Sequence, residues 1–542
     1  MFDCDGGMTQ RANSRSLWAA MTAILLLAAH SANPAAADAS PAQGEHTSEQ
    51  AFDVLEYRVL GNSVLPARDI EGALYPLLGT GKTLKDVEGA RKALEDLYHQ
   101  KGFGTAFVDI PPQTVHGGVV RLHVTEGTLE KRTIGGAKYF AERDVAAQLP
   151  ASAPGQVLQL SKLQDELNTV NRETPDRQVV PVLKAGSAPG TVDLALNVND
   201  TLPLHGSLEF NNQATLDTEE LRGIASLSYD DMFGRLDSLA FQYQFSPQDF
   251  SQVRVFALNY AMHPFADGLQ PSFSYINSNS NVPIAGTLGV LGIGEIASFK
   301  LAYAIPDTGD TLQSVSFGAD YKHFRNTINQ NDTTAFATPI TYLNLSAGYA
   351  LSAHTDWVAT VFTLTANAGA RHLVGTTTDF ANDRYQGQAN YFDLRTDLTT
   401  TWRLPEHFAL RLRMATQGAT EPLIANEDFS LAGIDAVRGY LEAEELVDTG
   451  IKGTAQLISP PWKRGDRVLG DAFVFYDLGW GRVYDPLPGQ LSVIELRSVG
   501  AGLDVLPGQK LTGTLSGAYA IDTASVTHAG DWRVLFLVRG SF

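Results

Sequence analysis

At 542 residues the chain is too long for one ordinary domain. Its net charge of -20 argues against nucleic acid as a partner, because phosphate binding needs a basic face. Its single cysteine, Cys4, leaves no disulfide framework and no cysteine-based metal site.

The chain opens on a secretory pattern. Arg11 and Arg15 precede the apolar run Leu17–His30, and small residues stand at Ala35 and Ala37. A charged segment, a short apolar segment and an A-x-A-type site make a signal peptide over 1–37, too short to span a bilayer comfortably. Cleavage is expected after Ala37 or Ala39, and a start at Met8 would leave the signal intact. Residues 38–50 are polar and lack helical periodicity, so they read as a short linker. No later apolar run reaches about 18 residues. An exported chain of this kind is either soluble or a β-barrel.

From 51 to 126 the pattern changes type several times. "FDVLEYRVLGN" alternates as a strand and ends in a Gly-Asn turn. "PARDIEGALYPLL" and "LKDVEGARKALEDLYHQKG" read as helices, the second with Leu84, Val87, Ala90, Leu94 and Leu97 at helical spacing. "TAFVDIPPQTV" and "GGVVRLHVTEG" read as strands, with Val120, Leu122 and Val124 on one face. The order then recurs over 127–199: a strand in "LEKRTIGGAKYF", helices in "AERDVAAQLP" and "LSKLQDELNTVNRE", strands in "RQVVPVLKAG" and "TVDLALNVND". This repeat lies in the order of elements, not in the residues. It resembles the POTRA domains of outer-membrane assembly and secretion pores. Within it, "GTGKT" (Gly79–Thr83) has Pro76 where a phosphate-binding loop needs its first glycine, and it follows a helix, not a strand.

From 200 to 542 the helical pattern stops. Alternating segments of about ten residues follow one another, separated by Gly, Asn, Asp and Pro turns. Roughly 340 residues at about 21 per strand and connection leave room for about sixteen strands, an outer-membrane antiparallel barrel. The C-terminus fits it. In "DWRVLFLVRGSF" one face holds Trp532, Val534, Phe536, Val538 and Phe542, and the other holds Arg533 and Arg539. Lipid requires the first face and an aqueous lumen the second. An ordinary amphipathic edge strand would alternate in the same way.

Two stretches carry the remaining signal. "AVRGYLEAEE" places Val437, Arg438, Gly439 and Tyr440 before a run of acids. "FVFYDLGWG" puts Phe475, Asp477 and Gly479 on one face, opposite Val474, Tyr476, Leu478 and Trp480. A carboxylate opposite a lipid-compatible face points into the lumen. It is either a solvated wall charge or a partner for a guanidinium, whose planar fork suits a carboxylate.

Together these stretches resemble the V/I-R-G-Y/F motif of an inward-folded loop (around 431–455) and the F-x-D-x-G wall motif of the outer-membrane transporter and insertase superfamily. Over nearly all its length after the signal, the chain resembles a TpsB-type two-partner secretion transporter of the haemolysin secretion/activation class. The resemblance implies a transmembrane barrel of about 16 strands preceded by two periplasmic α+β POTRA domains, 51–126 and 127–199. It implies export of one large partner protein, a TpsA-like exoprotein recognised unfolded by the POTRA domains. It also implies insertion by the barrel-assembly machinery, which reads a C-terminal signal of Trp532, Phe536 and Phe542, and an outer-membrane location in contact with lipid. Two alternatives stay open: a barrel-assembly insertase, which usually carries three or more POTRA domains, and a passive porin, which needs none. The chain departs from the family at Gln456, where a glutamate is usual. A water-filled lumen would screen an Arg438–Asp477 pair. No H-E-x-x-H or G-x-S-x-G pattern occurs among the histidines and serines, so the expectation is no enzyme, no metal and no cofactor.

Overall fold

The computed structural model describes residues 51–542 except 217, 266–267, 281, 284–289, 307–310, 331–333, 371–372, 466, 507 and 509. The signal peptide expected at 1–37 and the linker expected at 38–50 lie outside the described residues. Two compact units are described. One holds residues 51–131 together with 154–163 and 185–193, and the other holds the described residues of 132–153, 164–184 and 194–542.

In the first unit Glu56–Leu60 pairs in parallel with Val119–Thr125, and Phe107–Asp109 pairs antiparallel on its other side. Alternation along Val119–Thr125 turns Val120, Leu122 and Val124 inward. Leu122 and Val124 meet Leu74 of helix Ala67–Leu74 and Ala90, Leu94 and Tyr98 of helix Leu84–Gln100. The single strand expected at 52–60 is two strands. It breaks at Leu55, where the Leu55 and Glu56 amides both donate to Gly118 O at 2.7 and 3.1 Å. The first helix stops at Leu74 and tightens to a 3-10 turn over Tyr75–Leu77, because Pro76 has no N–H to continue the ladder. Gly79–Lys82 of the "GTGKT" stretch forms an edge strand on Phe52–Val54, and Thr83 begins the next helix in a capping box with Asp86.

A fixed carboxylate closes this unit. Glu126 accepts from the amides of Ser63 and Val64 at 2.8 and 3.1 Å, and from the Tyr98 hydroxyl at 3.0 Å. Burial raises its pKa, but the hydrogen bonds from Ser63, Val64 and Tyr98 outweigh this and hold it below the ordinary value.

A second α+β arrangement follows. Its sheet runs in the order Thr128–Gly135, Thr191–Asp200, Arg177–Ala185, and its longer helix is Leu160–Glu173. Asp200 accepts the amides of Lys138, Tyr139 and Phe140, and the guanidinium of Arg177 pairs with Glu173 at 3.0 Å. The helix expected in "AERDVAAQLP" is shorter, Glu142–Ala147.

Beyond Asp200, sixteen antiparallel strands close a barrel, from Leu204–Asn211 to Trp532–Ser541. First and last strands pair from Asn211↔Leu537 to Ser207↔Ser541, backed by the Arg539–Glu209 ion pair at 2.8 Å. Inside–outside alternation is clearest on the strand before the last three. On Arg467–Arg482 the outward Val474, Tyr476, Leu478 and Trp480 are exposed, while Phe475 and Asp477 are buried. The connections 233–236, 355–357 and 404–408 lie at the end where the chain arrives from Asp200, and the longer 373–391 and 420–448 lie at the other. Thr449–Ile458 is already a barrel strand, so the loop expected around 431–455 is instead 420–448. No helix of the described residues is long and apolar enough to cross a membrane; in a barrel, strands do so.

The Glu126 cluster predicts an acid-sensitive first unit. Glu126 has a depressed folded pKa, so its stabilisation is complete above the unfolded value of about 4.3 and is lost as pH falls through the folded value. Glu126→Gln should cost about 1–3 kcal/mol at pH 7, with the gap to wild type closing below about pH 4. Hydrogen exchange at residues 62–65 as a function of pH measures it. A gap that stays constant with pH contradicts the assignment.

Candidate functional site: a loop latched inside the barrel

The 420–448 loop turns back into the lumen instead of leaving it. Its apolar residues drive this. Phe429, Leu431, Ala432, Val437, Tyr440 and Val447 are buried against Ala415, Val483, Leu496 and Ala520 of the wall and its connections. Burying side chains of this size contributes about 1.5–3 kcal/mol each, enough to order a loop. A short parallel bridge between Ala432 and Val437 folds the tip on itself.

Arg438 stands at that tip. Its Nε and Nη2 donate to the two oxygens of Asp477, both at 2.8 Å, and its backbone N–H donates to Asp477 Oδ2 at 3.1 Å. The Ser498 hydroxyl adds a donor at 3.3 Å. Thr454, Asp477 and Ser498 are in register on three adjacent strands, which aims Ser498 at the carboxylate. The guanidinium lies over the Phe475 ring, 3.3 Å from its centroid, and its Nη1 reaches Gln456 Oε1 at 3.5 Å. The side chain of Asp477 is 0% exposed and that of Arg438 is 9%. The expected screening by a water-filled lumen is therefore absent here. The loop's own apolar residues exclude the water, and the fork-to-carboxylate geometry offsets the desolvation. Gln456 occupies the position where a second carboxylate was in doubt and offers a neutral acceptor.

The glycines have steric roles. Gly439 has φ +99, a left-handed conformation that disfavours any side chain, and it rests on Ala518 and Ala520. A Cβ on Gly479 would lie 2.9 Å from Val437 Cγ2 and 3.5 Å from Leu431. The wall stretch thus supplies a ring to stack on, a carboxylate to pair with and a gap for Val437. Tyr440 is buried. Its hydroxyl lies within donating distance of the carbonyls of Arg497 (3.0 Å) and Asp522 (2.9 Å), and it accepts the Asp522 N–H.

The acids after the motif were not assigned roles from the sequence, and each has one. Glu442 accepts the Ile434 amide at 2.7 Å and closes the tip. Glu444 accepts the Val526 and Thr527 amides at 2.9 and 2.6 Å, and Glu445 the Ser525 amide at 2.7 Å. These last two tie the loop to the connection before the final strand. The signal was the run of acids itself, but the partners of Glu444 and Glu445 lie some 80 residues away.

The aromatic residues of the last strand are placed outside. Trp532 and Phe542 are exposed, Phe536 is partly exposed, and Phe542 exchanges backbone hydrogen bonds with Gly206 at 3.0 and 3.3 Å.

Comparison with known proteins fits this architecture. Residues 52–127 match the model of the POTRA domain, ShlB-type, and residues 190–505 match that of the haemolysin secretion/activation protein ShlB/FhaC/HecB. The chain is 29% identical over 186 residues to the outer membrane transporter CdiB of Dickeya dadantii (strain 3937), covering 34% of this chain and 32% of that protein. It is 24% identical over 201 residues to CdiB of Escherichia coli, covering 37% and 33%. The alignments thus span about a third of the length of these relatives. In fold it is similar to the structure of CdiB from Escherichia coli, with TM-score 0.58 and 16% identity over 93% of each chain. It is similar also to BamA from Haemophilus ducreyi lacking POTRA domains 1–3, with TM-score 0.58 and 12% identity over 91% of this chain and 100% of that one.

Because the Arg438–Asp477 pair is buried, losing either partner should loosen the loop by about 3–5 kcal/mol. Arg438→Ala and Asp477→Ala should each leave a folded, heat-modifiable barrel, with protease access to residues 431–445 raised at least about a hundredfold. The double variant should be little worse than either single one. Simple addition of the two losses would show that they do not act as a pair. Gly479→Val, which removes no charge, should free the loop in the same way by filling the seat of Val437.

Proposed function

The chain belongs to the haemolysin secretion/activation protein family (ShlB/FhaC/HecB), and from this we propose that it is the translocation pore of a two-partner secretion pair in the bacterial outer membrane. The observation that carries the reading is a closed sixteen-strand barrel with a loop latched inside its lumen, joined to a POTRA-matched α+β region. The lumen is the path, and the loop is the part that must move for a polypeptide to pass. The protein acts as a transporter.

Residues 127–199 form the second of two POTRA domains, supported by their repeat of the first unit's order of strands and helices. Both domains face the periplasm. They receive the unfolded partner, a large TpsA-like exoprotein, by adding its strands to a sheet edge or by taking it into the groove between helix and sheet. The edge strands Phe107–Asp109 and Arg177–Ala185 each pair on one side only within their sheets, which supports strand addition. The outward Val474, Tyr476, Leu478 and Trp480 meet lipid. Trp532, Phe536 and Phe542, on the outer face of the last strand, are what the barrel-assembly machinery reads during insertion. An insertase role rests on fold likeness to BamA alone, whereas the match over 190–505 is to the secretion family.

Deleting residues 51–199 while keeping the signal peptide should leave a heat-modifiable barrel in the outer membrane and abolish release of the partner encoded beside it. Measured export at the wild-type level would overturn the role given to these domains. Rescue of barrel-assembly defects by the full chain would favour the insertase instead.

A further inference from the structure

The lumenal loop is tied down at a second place, away from Asp477. Glu427, at the root of the loop, is 1% exposed. Its carboxylate accepts from the Lys322 ammonium, from the Tyr342 hydroxyl at 2.6 Å and from Arg395 Nη2 at 3.2 Å. Its backbone carbonyl accepts from Arg395 and Gln417, both at 3.0 Å. Lys322, Tyr342, Arg395 and Gln417 stand on four wall strands, Thr311–Gln330, Thr334–His354, Phe392–Arg403 and Ala409–Ala419. Asp477 stands on Arg467–Arg482, another arc of the wall. The loop therefore braces the lumen between two anchors.

Beside Glu427 lies an apolar cap. Leu423 and Ile424 share a buried cluster with Phe380, Ala389 and Tyr391 of the 373–391 segment and with Val255, Phe324 and Ile340 of the wall. Polar contacts rim it. Asn326 on the wall donates to Asn426 at 2.8 Å and to Asp383, the last residue of helix Thr377–Asp383, at 3.0 Å. Arg384 pairs with Asp448 at 3.1 Å, joining the 373–391 segment to the other root of the loop. The cap sits at the barrel end opposite the one where the chain arrives from the α+β region. Beside the loop, the 373–391 segment is a second element packed against the wall.

We propose that Glu427 is a second positioning residue of the lumenal loop, and that the apolar cap it holds is a gate over the outer mouth that opens separately from the Arg438–Asp477 latch. The proposal rests on the reading of the barrel as a pore. The charges show why Glu427 is the pin. Arg395 has a second carboxylate in Asp393, at 2.8 Å. The Lys322 ammonium pairs with Glu427 at a site where its side chain is 13% exposed. Without the charge of Glu427 the ammonium keeps no counter-ion among the described residues, in a poorly solvated place, and the stable response is to let water in. Water entering there separates Leu423 and Ile424 from the wall. The tip at Arg438, held by residues on other strands, does not need to move.

The test uses the purified full chain in planar bilayers, with no partner present. Glu427→Gln keeps the size and loses the charge. It should shift the closed-to-open ratio by about tenfold towards the open level, with heat-modifiability unchanged and with partial return in Glu427→Asp. A second construction locks the gate. Asn326→Cys with Asn426→Cys places two thiols in a chain whose only other cysteine is Cys4. Bridging them with a short bis-methanethiosulfonate should hold conductance at the closed level even with Glu427→Gln, and dithiothreitol should release it. Wild-type conductance in Glu427→Gln would overturn the proposal, as would a bridged pair that still opens. Normal gating without export of a partner would count against the secretion reading alone.

Discussion

Closure governs everything else in this molecule. An isolated strand leaves a row of N–H and C=O groups that lipid cannot satisfy, so a sheet in a membrane has to return on itself. Here it returns through Ser207–Asn211 and Leu537–Ser541, with Arg539 and Glu209 paired across the seam on the inner face. Closure also imposes parity. Once one residue of one strand points inward, the register decides the direction of every residue on all sixteen. That is why Thr454, Asp477 and Ser498 converge from three strands, and why Lys322, Arg395 and Gln417 converge from three others.

A closed ring of this size would be a hole if nothing filled it. The filling comes from connections at the far end, and the way they are held differs from an ordinary core. Apolar residues of the loop are buried, as in a soluble domain. Specificity comes from charges placed inside that apolar packing. A buried charge that meets its matched counter-charge is stable in one position and costly in any other. Arg438 and Glu427 each occupy such a position, on different arcs of the wall. A loop held this way has discrete states, because half-breaking a buried pair is worse than either keeping it or releasing it into water.

The glycines around the latch follow from the same closeness. Gly479 is a gap shaped for Val437, and Gly439 lets the backbone turn against Ala518 and Ala520. Wall and loop are complementary at the level of single carbon atoms, which accounts for a short motif in each of two distant stretches.

Alternation by itself was enough to read a barrel, the two faces of the stretches 473–481 and 532–542, and Asp477 as an inward carboxylate, because a period of two is local and lipid punishes exceptions; the count of about sixteen came from length and resemblance. Helical spacing likewise located Leu84–Gln100 and Leu160–Glu173. The Arg438–Asp477 pair was legible only through its resemblance to two known motifs, since nothing local says which lumenal carboxylate a loop arginine will meet. What tertiary structure alone decided lies at longer range. The break at Leu55 depends on the carbonyl of Gly118, and the burial of Asp477 depends on a loop whose Leu431 and Val437 seat against the wall at Gly479. The partners of Glu444 and Glu445 arrive from the connection before the last strand. Glu427 sits in an unremarked stretch, "IANEDFS", and becomes a hub because closure brings Lys322, Tyr342 and Arg395 round to it from about 30 to 105 residues away. Periodicity reports which way a residue faces; only the closed ring decides what it faces.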